Sequence, residues 1–292
     1  MSSQITTAFV QQYSANVQML SQQMGSRLRD AVRVESIVGK NAFMDQIGVA
    51  TAQLRTSRHA DTPQLDTPHA RRRLSLADYE YADLIDDEDK VRMLIDPTSS
   101  YAQAAAAAMG RAMDDVIITA ALGTASTGET GSGSASLDAT ANMVGSSSTN
   151  VNLSVSILRE AKRKLDAQDV DPSIPRYIAV GPSQIESLLS ETAVTSADFN
   201  TVKALVQGEV DTFMGFKFIM TNRLSIDSND IRSCFAWAED GITLGIGKDI
   251  SARIDERADK GYATQVYYCM SIGAVRMEEN KVVKIFCDET PD

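Results

Sequence analysis

The sequence predicts an α+β fold. Three features carry that expectation: an alanine-dominated helix over residues 98–122, a proline-bearing extended segment ahead of it, and a strand-rich stretch from Cys234 to Cys287. Hydrophobic residues make up 43% of the 292, ample for a real core of one or two domains.

Taken in order, the chain opens with Val10, Tyr13, Val17, Leu20, Met24 and Leu28 at spacings of three and four, an apolar stripe on an otherwise polar helix. Such a stripe packs on its own domain or docks on a partner. From Phe43 to Ile95 the pattern becomes extended. GVATAQLR (48–55) alternates small or apolar with polar residues, two Thr-Pro steps disfavour helix, and RRLSLADYEYADLI (72–85) resumes the alternation. Two strands joined by a long proline-bearing tip make a hairpin. An isolated hairpin is marginal in water, so it requires cover.

PTSSYAQAAAAAMGRAMDDVIITAALG follows, with Thr98, Ser99 or Ser100 available as N-cap and Gly123 placed as C′ residue. At this length the helix runs about 36 Å. Its alanines let other elements approach closely, the property of a structural spine. Residues 124–152 are rich in Gly, Ser and Thr and read as a loop or weak hairpin. LSVSILREAKRKLDAQDV then places Leu158, Ala161 and Leu165 on one helical face. PRYIAVG reads as a buried strand, PSQIESLLS as a short helix with proline near its first position, and ADFNTVKALVQ as a further helix. EVDTFMGFKFIMTNRL ends in a strand headed by Gly215, and the remainder is mostly β with a hairpin expected at AEDG (238–241).

Composition narrows the function. A net charge of −11 disfavours non-specific attraction to a phosphate backbone. Cys234, Cys269 and Cys287 are unclustered, inside apolar or β-branched runs, and read as buried reduced thiols of a cytosolic protein. The first thirty residues lack a basic start followed by an apolar block, and no apolar run approaches the ~20 residues that span a bilayer, so neither secretion nor membrane insertion is expected.

Motifs for chemistry fail one by one. The only histidines, His59 and His69, both lie in the extended segment without partners for zinc or triad chemistry. GITLGIGKD (241–249) has Ile242 and Asp249 where a phosphate loop needs glycine and a hydroxyl, and reads as a tight hairpin with glycines at turns. GSGSAS lacks the nucleophile-elbow spacing. Asp86, Asp87, Glu88 and Asp89 lack the calcium-loop register. No catalytic, cofactor-binding or metal-ligating residues are expected.

Charge is nonetheless polarised. Between Arg55 and Arg73 there are five arginines against two acids, and between Asp78 and Asp96 eight acids against Lys90 and Arg92. Either both blocks are solvated, or Arg71, Arg72 and Arg73 of one copy lie along Asp86, Asp87, Glu88 and Asp89 of another, where planar guanidinium forks suit carboxylates. Val10, Tyr13 and Val17 are the apolar contact candidates.

The order of parts resembles the major capsid proteins of tailed bacteriophages with the Hong Kong 97 capsid fold. The most specific local piece is Arg176 to Leu224: strand, proline-started helix, loop, Gly-Glu-Val, then a Gly-Phe strand ending at Thr-Asn-Arg-Leu. The resemblance implies an N-terminal arm (1–42), an extended loop (43–96), the spine helix with part of a peripheral domain (97–150), a mainly axial domain (151–250) and return strands (251–292). It implies an icosahedral virion shell of hexamers and pentamers enclosing double-stranded DNA, assembled in the host cytoplasm without catalytic turnover. Its partners are copies of itself, a portal and cement proteins. Some relatives carry a scaffolding segment before the arm; here either a separate scaffolding protein acts or that segment was removed. Others link a loop lysine to a neighbour's asparagine, but the loop holds only Lys90, at its acidic base, so no cross-link is expected. Two alternatives stand beside this reading. An encapsulin-like nanocompartment shell protein would bind a cargo peptide and hold no DNA, and an α/β enzyme would need chemistry the motifs do not supply.

Overall fold

The computed structural model describes residues 21–59, 61–62, 64–86, 98–146, 151–190 and 212–289. Their strands are β1 (Arg33–Ser36), β2 (Asn41–Ile47), β3 (His69–Ser75), β4 (Ala77–Ile85), β5 (Ala125–Thr127), β6 (Gly133–Ala135), β7 (Met143–Val144), β8 (Arg176–Val180), β9 (Thr212–Phe213), β10 (Phe216–Met220), β11 (Ile231–Ala238), β12 (Ile242–Arg257), β13 (Ala263–Arg276) and β14 (Val282–Asp288). The helices are α1 (Thr98–Leu122), α2 (Val155–Ala167) and α3 (Pro182–Ser190). The chain divides into two compact units. The smaller takes the described residues within Met1–Ser26, Asp78–Ala112 and Lys248–Met270; the larger takes those within Arg27–Ala77, Met113–Gly247 and Ser271–Asp292.

The larger unit is built on a six-stranded sheet of order β7-β14-β11-β8-β10-β9. RYIAV and IRSCFAWA, the sequences of β8 and β11, are almost continuously apolar because they occupy the middle of the sheet, and every residue of β11 is buried. Trp237 on β11 stacks on Phe235 and Tyr177 at centroid distances of 4.6 and 5.7 Å, and its indole N–H donates to Ala31 O at 2.8 Å. Helix α2 buries Ile157, Leu158, Ala161 and Leu165, as its apolar spacing predicts, and Ser154 Oγ caps it by accepting from Ile157 N–H. Proline opens α3 as expected. Between β9 and β10 both Met214 (φ 53°) and Gly215 (φ 87°) adopt the left-handed conformation that a tight hairpin demands, which explains the glycine at the head of β10.

A second sheet of the larger unit has the order β2-β3-β5-β6. Here the structure corrects the expected hairpin. Its legs are residues 41–47 and 69–75, in register from Asn41↔Ser75 to Ile47↔His69, and GVATAQLR forms no strand. The run 72–85 does not continue as one leg either. It breaks at Leu76 into β3 and β4, which join different sheets, because Leu74 must face a buried cluster with Ile37, Ala125 and Val275. The Gly/Ser/Thr-rich segment supplies the cover: its weak hairpin, β5 and β6, pairs against β3.

Helix α1 runs the length predicted. Within the smaller unit, a Cβ on Gly110 would lie 2.6 Å from Gly25 Cα, so two backbones meet where only glycine fits. In the larger unit Met113, Asp114, Ile117 and Ala121 are buried. Gly123 follows the helix but lacks a left-handed φ; the helix end is instead held by Arg276, whose guanidinium donates to Ala121 O at 2.8 Å and Gly123 O at 2.6 Å.

Four further expectations change. Residues 21–28 are irregular rather than helical; Leu28 is buried and Met24 exposed, so the apolar stripe does not continue as one helix to Leu28, and Val10 to Leu20 lie outside the described residues. GITLGIGKD is no hairpin, since β12 runs unbroken for 16 residues, and AEDG turns the chain from one sheet into another. Its glycines serve packing: a Cβ on Gly245 would fall 2.1 Å from Ile37 Cδ1. Finally, Cys234 and Cys287 are buried free thiols, but Cys269 is half-buried. The helix expected at 197–207 also lies outside the described residues.

Candidate assembly surface

The β2–β3 ladder sorts its side chains onto two faces. Ala42, Met44, Leu74 and Leu76 turn inward with the buried cluster, while Phe43, Asp45 and Ile47 of β2 alternate with them on the other face, opposite Arg73, Arg71 and His69. On this outer face Arg71 Nε donates to Asp45 Oδ1 at 2.6 Å, and its guanidinium carbon sits 5.5 Å from the centre of the Phe43 ring. That hydrogen bond holds the Asp45 carboxyl below its ordinary range and lifts Arg71 above its own.

Arg72 points inward. It is buried, donating from Nε to Met277 O at 3.0 Å and from a terminal nitrogen to Glu279 Oε2 at 2.5 Å. Glu279 also faces Arg276 at 3.5 Å, so one carboxyl serves two buried guanidinium groups. Burial lowers the Arg276 pKa against the pull of Glu279, and the Arg72 charge adds to the lowering. Arg73 is half-buried, with an Nε that has no hydrogen-bond partner among the described residues.

The three arginines therefore do three different things. A simultaneous reversal of all three to glutamate would set a buried carboxylate at position 72 against that of Glu279 and disturb the subunit itself. Asp86 is exposed and belongs to the smaller unit; Asp87, Glu88, Asp89, Val10, Tyr13 and Val17 lie outside the described residues. The polarised blocks are not brought together within one described unit.

Beside the Arg71–Asp45 pair opens a groove of about 720 Å³ lined by Asp45, Ile47, His69, Arg71, Thr127 and Glu129 among others. The adjoining segment leaves apolar side chains in solvent: Ile47 is 73% exposed, Val49 90% and Leu54 89%. These three side chains are uncovered among the described residues. No group of metal-ligating side chains occurs among the described residues, and none of their helices is long and apolar enough to cross a membrane.

Sequence reasoning missed two residues. Asp114, fully buried, accepts the backbone N–H groups of Arg27 and Leu28, and its only signal was an Asp-Asp pair interrupting an alanine-rich helix. Cys269 sits with Lys248 Nζ 3.0 Å from its sulfur and the Ser251 hydroxyl at 3.1 Å; the Lys248 hydrogen bond lowers its pKa. Nothing in the residue spacing announces that cluster.

The sequence model of one family, described as phage capsid protein, matches residues 5–289. No curated protein matches the chain. Among solved structures, the capsid of Ralstonia phage GP4 gives a TM-score of 0.76 at 11% identity, covering 97% of this chain and 97% of that one. The capsid structure of the Cyanophage P-SCSP1u gives 0.75 at 16% identity, with 98% and 95% covered. The Cyanophage Pam1 capsid asymmetric unit gives 0.72 at 18% identity, with 98% of each chain covered. At such identities the likeness fixes the fold.

Proposed function

Since the chain belongs to the phage capsid protein family and has the Hong Kong 97 type of fold, it is a structural major capsid protein, and we propose that its copies close into an icosahedral shell of hexamers and pentamers around double-stranded DNA. The observation that supports the closed shell is the loop surface: a long segment leaves Ile47, Val49 and Leu54 without cover among the described residues, and contact with a neighbouring copy would bury them. An encapsulin-like nanocompartment is not favoured, because the family and the matched structures are those of phage capsids.

The net charge of −11 suits the inner role. A wall that repels phosphate lets DNA be driven in and out without adhering. Arg71 and Arg73, both half-buried, remain the cations for contact with Asp86–Asp89 of a neighbouring copy, and Val10, Tyr13 and Val17 the apolar contacts of the arm. A scaffolding protein, a portal and cement proteins are the further partners, assembly takes place in the host cytoplasm, and no turnover of substrate is involved.

The test is electron microscopy with sedimentation velocity on the purified chain, alone and with the products of neighbouring genes. Closed shells, tubes or capsomer rings are expected. A particle that stays monomeric or dimeric under all these conditions would refute the assembly role.

A further inference from the structure

We infer that the free edge of β2 is a strand-acceptor site, and that its occupant is residues 49–55 of a second copy of this chain. The inference rests on the self-assembly reading and adds the partner segment and the mode of contact.

The acceptor follows from hydrogen-bond parity. Gly48 N–H donates to Pro68 O and Leu76 N–H to Lys40 O, at 2.8 and 3.0 Å, in the same register as the β2–β3 pairs. Even-numbered residues of β2 therefore bond to β3, and Asn41, Phe43, Asp45 and Ile47 direct their N–H and C=O groups away from it. β2 is the terminal strand of its sheet, and these groups have no backbone partner among the described residues. A free edge of this length is a template for another strand, and proteins usually blunt it with charge or proline. NAFMDQI holds no proline and one charge, Asp45, which Arg71 neutralises.

The donor follows from a contradiction between sequence and structure. GVATAQLR has strand alternation, with Ala50, Ala52 and Leu54 against Thr51, Gln53 and Arg55, yet it forms no strand in its own subunit. Among the described residues it lies in solvent instead, and its most exposed apolar groups are Val49 and Leu54. Added to β2 of a neighbour, its backbone meets the unpaired groups, and the face that carries Ala50, Ala52 and Leu54 lies beside Phe43 and Ile47, with Val49 on the opposite face. Charge is compatible: residues 48–60 include Arg55 and Arg58 and no acid, and in the acceptor groove Arg71 is taken up by Asp45 while Glu129 is the further acid of the lining. The contact is heterologous, each copy donating one segment and accepting another, so every edge is covered only when the arrangement closes.

The experiment places the photo-cross-linker p-benzoylphenylalanine at Phe43 in the full chain, assembles shells from mixed light and nitrogen-15 subunits, irradiates them and maps the linked peptide by mass spectrometry. Capture of residues 49–55 from the other isotopic population supports the inference. Capture of residues 1–20, of another segment or of a different protein, or no capture in well-formed shells, overturns it and leaves self-assembly standing. Failure of the unmodified chain to form shells, both alone and with the products of neighbouring genes, overturns both. A second variant, Phe43→Pro, deletes an outward N–H without touching a β2–β3 bond and should lower shell yield about tenfold relative to Phe43→Ala, with the unassembled subunit's melting unchanged. Equal yields from the two variants would also overturn the inference.

Discussion

Asp114 accepts the backbone N–H of Leu28 at 3.1 Å, across 86 positions of sequence and with no exposure to solvent. The same carboxyl takes the N–H of Arg27 at 3.1 Å, so a single side chain of the spine helix fixes where the chain enters the larger unit. Asp114→Ala leaves donors without partners in a buried place and should destabilise the unassembled subunit by about 3 kcal/mol in urea unfolding. Asp114→Asn, which keeps one acceptor, should recover part of the loss. Equal stability of Asp114→Ala and the parent would refute the anchor.

Neighbouring arginines should respond in opposite ways. Arg72→Met empties a buried pair with Glu279 and should cost about 3 kcal/mol of subunit stability. Arg71→Ala removes a pair on the solvent side and should leave urea unfolding at the parent's midpoint. A subunit in which Arg71→Ala is the more damaging change would reverse the assignment of faces.

Much of this architecture is legible in the chain. The spine helix, α2, β8, α3 and the Gly215 hairpin follow from spacing, capping and turn chemistry, all of them local. What was hidden is long-range. Nothing near Leu76 shows that β3 and β4 part there, because the cause is Leu74 seeking Ile37 and Val275. GITLGIGKD offered glycines that suit a turn, whereas Gly245 is there to admit Ile37 and Leu74 from distant segments. On the surface, composition marked the arginines as a block, but alternation across a strand sends Arg72 inward and its neighbours outward, which composition cannot express.

Gly245→Ala tests that packing. The added methyl would stand 2.1 Å from Ile37 Cδ1 and 2.9 Å from Leu74 Cδ2, so the expected loss is about 2 kcal/mol, read from urea unfolding. The double change Gly245→Ala with Ile37→Val should restore part of it. No loss from Gly245→Ala alone would show that the strand has room to yield.

Acid should act through Glu289. Its carboxyl receives Arg232 at 2.5 and 2.7 Å, together with Gln184 and Ser183, and the Arg232 bond is the main cause of its lowered pKa. A folded pKa below the unfolded value of about 4.3 gives stability that is complete above that pH and lost as pH falls through the lowered folded value. Glu289→Gln should therefore be less stable than the parent at neutral pH, and the gap should narrow below about pH 4. A gap that widens with acid would carry the wrong sign.

Thiol chemistry should single out Cys269. In the native subunit iodoacetamide should label it and spare Cys234 and Cys287, which are buried; the Cys287 thiol is also pushed well up by its hydrogen bond with Cys234 and by burial. Lys248→Met, removing the ammonium beside the sulfur, should slow labelling at neutral pH about threefold. Unchanged kinetics would dissociate the lysine from the thiol's reactivity.

The strand order of the six-stranded sheet also bears on biosynthesis. β14 lies between β7 and β11, although residues 282–288 are translated well after both. On the ribosome, a nascent chain that has already made β8, β10 and β11 still presents one long side of β11 to solvent until β14 emerges. Domains settle as units once their parts are available, and an unfilled strand slot is the species most exposed to wrong pairing. A subunit therefore becomes competent to meet its neighbours only after residue 288 has left the exit tunnel, which separates synthesis from shell building in time and makes that interval the one in which a chaperone has most to hold.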